Sequence, residues 1–140
     1  MKSYSKQFVQ NPKKSSKRGA VIIEFALVCP IIVLIVFGTI DICSFYYLKQ
    51  TLKIASYEAT RIAVIAGSTT SLVETQAKML LDNSKVNGYL VTVTPSPESL
   101  NRGDFVTVSV TAPSGPNLPL KGWFCSSKST FAQTSMMSDR

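Results

Sequence analysis

The sequence predicts an α+β protein. A long N-terminal helix crosses a membrane and runs on into a small outer domain with a second helix and a roughly three-stranded antiparallel sheet. Three observations predict it. Phe25 to Ile40 is 16 residues without a charge. Leu48, Leu52, Ala55, Ala59, Ile62, Ala63 and Ala66 then repeat at spacings of three and four, the helical period. After Gly88 the apolar period falls to two, as in strands with one buried face.

The chain opens on a basic segment. Lys2, Lys6, Lys13, Lys14, Lys17 and Arg18 give residues 1–19 a charge of +6, while the whole 140-residue chain carries only +7. The body is therefore nearly neutral. A basic tail can bind phosphate backbones, but one placed directly before an apolar run reads as a cytoplasmic anchor. A nucleic-acid partner is not expected.

Ala20 to Leu48 holds two charged groups, Glu24 and Asp41. A span needs about 20 residues to cross a hydrocarbon core of about 30 Å, and residues 25–47 supply it. Phe45, Tyr46 and Tyr47 close the run as an aromatic belt. Asp41 is expected near the outer interface or against a protein partner, where its cost at a helix centre, about 3 kcal/mol, is much reduced. No later segment is apolar over enough length to span. The expected partition is a cytoplasmic leader over 1–19, a transmembrane helix over 20–47 and an extracytoplasmic α+β domain over 48–140. The run is too long for a secretory signal, no small-residue cleavage site follows it closely, and Cys43 after Ile42 makes no lipobox. Pro30 removes one helical hydrogen bond and predicts a kink, which membrane helices tolerate.

Past the span, Gly67 is expected to end the first helix and "STT" to cap a second over 71–85, closed by Gly88. "YLVTVT" (89–94) and "DFVTVSVT" (104–111) alternate and flank the turn-rich "PSPESLNRG", so they predict an antiparallel pair. A weaker strand over 129–137, "STFAQTSMM", completes the sheet.

Catalytic chemistry finds little to stand on. The chain has no histidine, which removes Ser-His and Cys-His nucleophiles and most zinc sites. It has no glycine-rich phosphate loop and no CxxC. Cys29 and Cys43 lie 14 residues apart, about 21 Å along a helix, too far to bridge within one chain. Cys125, beside Trp123 and Phe124, is expected as a half-buried free thiol. The expectation is a protein that is not an enzyme, with no cofactor, no metal and no small-molecule substrate.

Glu24 is the costly residue, and its neighbours give it a setting. Gly19, four apolar residues, Glu24 and Phe25, behind a basic leader and before an unbroken span, resemble the processing site of type IV pilin precursors. "EFALVCPIIVLIVFGTIDI" and "YEATRIAVIAG" (57–67) resemble the TadE-like branch, minor pilins or pseudopilins of the tight-adherence (Flp) pilus system. Cys29 and Cys43 depart from that pattern. The resemblance implies a pilin-like fold in a bacterial inner membrane, N-terminus inside, serving adhesion or secretion. It implies a prepilin peptidase cutting between Gly19 and Ala20. It also implies other pilins, pseudopilins and the inner-membrane assembly platform as partners.

Physical chemistry fits those roles. Gly19 lets a protease draw the backbone into an extended form. Lys17 and Arg18 hold it at anionic headgroups by about 1 kcal/mol each. Glu24 and Phe25 are the recognition and assembly positions: a buried carboxylate is tolerated when it finds a partner charge, here the new amine of Ala20 on a neighbouring subunit. The helix N-terminus adds a smaller benefit to an early acid. The alternative function is an unprocessed single-pass anchored binding protein with a small outer domain.

Overall fold

The computed structural model describes residues 16–121 and 129–138, with side chains from Gly19 onward. The leader lysines Lys2 to Lys14, the side chains of Lys17 and Arg18, and Trp123, Phe124, Cys125 and Arg140 lie outside the described residues. Two compact units are present, one through Phe37 and one from Gly38 onward.

Helix α1 covers Ser16–Ala63 and contains Pro30. In the first unit its large apolar side chains, from Val21 to Phe37, are exposed all round. A helix that is apolar on every face and covered by no protein belongs in lipid.

The second unit is built on the C-terminal part of α1. Leu48, Leu52, Ala55, Ala59 and Ala63 are buried as the spacing predicts. Ile62 is only half-buried and Ala66 is exposed, because α1 ends at Ala63 rather than at Gly67. Residues 64–67 form a turn instead. Ser68 Oγ donates to the Ala63 carbonyl (3.0 Å) and so satisfies an orphan acceptor at the helix end. Gly67 sits in that turn at φ +82°, where a side chain would be strained.

Helix α2 (Thr70–Asn83) starts with Thr69 as N-cap, its hydroxyl accepting from Leu72 N at 3.4 Å. A cap the sequence did not announce comes from the loop before β2. Glu98 accepts from Thr70 N (2.8 Å) and from Thr70 Oγ1 (3.0 Å), a carboxylate placed where the helix dipole favours one. Val73, Ala77 and Leu81 are the buried face of α2.

The end of α2 differs from expectation. Gly88 does not close it. The helix stops at Asn83, and Lys85 takes the left-handed position at φ +56°, with Val86 N donating to the Leu81 carbonyl (3.0 Å). Gly88 serves the next turn at φ +69°, and a Cβ there would come within 3.3 Å of Pro113 Cγ. Gly88→Ala is therefore expected to destabilise the second unit by about 1–2 kcal/mol, and Lys85→Gly to stabilise it by up to about 1 kcal/mol. Thermal unfolding of both variants in detergent checks the opposite signs.

Three strands follow, β1 (Leu90–Thr94), β2 (Phe105–Pro113) and β3 (Ser129–Met137), in one antiparallel sheet of order β1-β2-β3. The register pairs Val91 with Val110, Val93 with Val108, and Val110 with Ala132. Val106, Val108, Val110 and Ala112 are fully buried on the inner face and share one core with α1 and α2. Hydroxyls tie β3 to the helix. Ser56 Oγ and Thr134 Oγ1 share a hydrogen bond of 2.8 Å, and Thr60 Oγ1 donates to the Ser56 carbonyl and lies 3.4 Å from that of Thr134. The outer face carries no charge, and Leu90, Phe105, Phe131 and Met137 are exposed there. Elsewhere Tyr89 donates to Asp82 Oδ1 at 2.7 Å, and that bond, with some burial and the carboxylate's charge, holds the phenol above its usual pKa.

Candidate processing and assembly segment

Glycine 19 and Ala20 lie inside α1, and both are exposed. A peptidase that needs extended backbone must unwind the helix there, and glycine makes that easier by about 1 kcal/mol relative to alanine. A Cβ built on Gly19 would meet nothing within 4 Å. The chain itself thus sets no demand for glycine at this position. Any demand comes from outside.

Four residues on, Glu24 stands one turn above Ala20 on the same side of the helix. It is exposed, as are Val21, Ile22, Ile23 and Phe25 around it. A carboxylate set among apolar side chains that will meet lipid stays costly until an opposite charge reaches it. Phe25 is next along the helix and about 100° around it, so its ring and the carboxylate address different neighbours. Gly19, Ala20, Glu24 and Phe25 are thus all exposed within less than two turns of α1, spread around the helix. Pro30 is a turn and a half beyond Glu24, also exposed.

Asp41, the other charge of the apolar run, has a different fate. It is fully buried, on the α1 face that continues through Leu48 and Leu52. The expected cover was the outer interface or a partner protein; the chain's own second unit provides it. Cys29 is half-buried and Cys43 exposed, both as free thiols. Among the described residues, no group of three or more cysteine and acidic side chains is placed to hold a metal.

Among the described residues, one helix, over Gly19–Ala63, is long and apolar enough to cross a membrane. Residues 19–61 match the family model described as TadE-like protein. The matched segment begins at Gly19 and ends at Arg61, so it takes in the exposed residues Gly19 to Phe25, the apolar run and most of the α1 stripe of the second unit. The second helix and the sheet lie beyond it. No curated protein and no solved structure matches the chain. Over residues 19–61, the segment that carries Glu24 and the long apolar helix, this chain is similar to the TadE-like family.

Proposed function

We propose that this chain is a minor pilin or pseudopilin of a tight-adherence pilus, cut between Gly19 and Ala20 by a prepilin peptidase. Residues 1–19 are the cytoplasmic leader, with Lys17 and Arg18 at the headgroups. Residues 20–47 span the inner membrane, and 48–140 stand outside it. The observation that carries this reading is a costly, exposed Glu24 in a TadE-like segment that starts at the glycine itself. In a lone anchor the carboxylate has no role. In an assembly it meets the Ala20 amine of a neighbour, and burial of the pair is offset by its charge-assisted hydrogen bonds. Other pilins, pseudopilins and the assembly platform are then the partners, and adhesion or secretion is the purpose.

Gly19→Val tests the first step. A valine side chain finds open space at this position, so membrane insertion is expected to persist while the chain keeps its leader. N-terminal sequencing and intact mass of the membrane form check this. In cells with the peptidase the wild-type protein should start at Ala20 and the variant should retain residues 1–19. A wild-type N-terminus at Met1 under those conditions would end the pilin reading.

A further inference from the structure

We propose that the α1 face carrying Tyr46, Lys49, Gln50 and Lys53 seats the headgroup phosphate of an anionic phospholipid at the outer end of the membrane span. The proposal rests on the membrane reading above. These residues recur at i, i+3, i+4 and i+7 and line one recess of about 210 Å³. The helix cannot turn them away. Leu48, Thr51, Leu52 and Ala55 are locked in the core on the other side of α1, which fixes its rotation.

Depth along the helix suits a headgroup. The apolar run ends at Tyr47; Lys49 lies about 3 Å and Lys53 about 9 Å further along the axis. The polar layer on each side of a bilayer is about 5–8 Å thick, and flexible lysine stems can lower their ammonium groups into it. Tyr46 and Tyr47, both well exposed, sit at the level where aromatic rings mark the interface.

Charge and neighbours point the same way. Lys49 and Lys53 are four apart, so their like charges oppose the helix. Among the described residues neither joins an ion pair; Glu58, the next acid along α1, meets Arg61 at 3.9 Å. A phosphate between the two lysines turns that repulsion into two attractions. Lys49 also lines a second recess, of about 170 Å³, with Phe45, Ser129, Thr130 and Phe131. Phe131 is 66% exposed. It lies at the end of β3 level with residues 45–49, since Thr134, further along the strand, meets Ser56 and Thr60 further along the helix. An apolar ring beside the cation fits the glycerol and upper acyl region of the same lipid.

The test uses the full chain with Tyr46 replaced by photoreactive p-benzoylphenylalanine. It is reconstituted in phosphatidylcholine vesicles with or without phosphatidylglycerol. Crosslinking to phosphatidylglycerol is expected to exceed that to phosphatidylcholine several-fold at equal lipid content. Lys49→Gln and Lys53→Gln should each lower the excess, and the double variant should abolish it. Millimolar inorganic phosphate should leave it unchanged. Equal crosslinking to both lipids, or an excess that the double variant keeps, would overturn the proposal, and loss of the excess to inorganic phosphate would assign the recess to free phosphate instead. Alkaline extraction of the same vesicles, read first, separates the two failures, because a chain released from them would sink the membrane reading itself.

Discussion

Leu52→Ala is expected to lower the stability of the outer unit by about 2–5 kcal/mol, enough to lower its melting temperature by roughly 10–30 °C. Leu52 is fully buried, one of the largest side chains so enclosed. It is the second residue of the buried α1 stripe, in the cluster that joins Val108 and Val110 of β2 to Val73 and Leu81 of α2. On its C-terminal side the stripe continues as Ala55 and Ala59, which cannot lean into the space a missing isobutyl group leaves. The cavity term therefore adds to the lost transfer energy. Ile54, half exposed two residues later, is the matched control, and Ile54→Ala should cost under about 1 kcal/mol. Thermal melts of the full chain in detergent, followed by circular dichroism, give both numbers. Similar melting temperatures for the two variants would mean that the stripe does not hold the unit together.

Much of this architecture is legible in the chain, for identifiable reasons. A charge-free run has one physical meaning at that length, and the 48–52–55–59 spacing states which face of α1 is buried. The alternation from Phe105 to Val110 states which face of β2 is buried. Strand β3 could be read over 129–137 because a proline- and glycine-rich connection precedes it. What escaped depends on partners far along the chain. Nothing near Glu98 says that it caps a helix 28 residues earlier. Lys85 in a left-handed conformation runs against its propensity, and it accompanies the hydrogen bonds from Lys85 N to the Asp82 carbonyl and from Val86 N to the Leu81 carbonyl that close α2. The end of α1 at Ala63 is set by Ser68 and the turn, while Gly67 only marked the vicinity. Asp41 was read by its charge, but its environment comes from the tertiary fold. For the candidate site, the pattern from Gly19 to Phe25 is fully visible in the sequence. Its purpose is not, since one chain holds only one half of each proposed charge pair.

That missing half makes Glu24→Gln the other substitution with a large expected effect. Removing the charge should ease insertion of α1, because an amide costs less than a carboxylate in lipid. Cleavage after Gly19 should persist, since the demand at the cut falls mainly on the glycine. Folding of the outer unit should be unaffected, for Glu24 belongs to the first compact unit and the core lies in the second. Only association should fail. An amide gives up the charge-assisted part of the contact with a neighbour's amine, about 1–3 kcal/mol for each pair. Repeated along an assembly, a loss of that size excludes the subunit.

Co-purification of processed wild-type and Glu24→Gln protein with the other pilins, at matched expression, tests this most directly. The wild type is expected to be recovered with its partners while the variant, equally cleaved and equally membrane-bound, falls away by about ten-fold or more. Equal recovery of the two would contradict it, and would leave Glu24 a bystander at the edge of a simple membrane anchor.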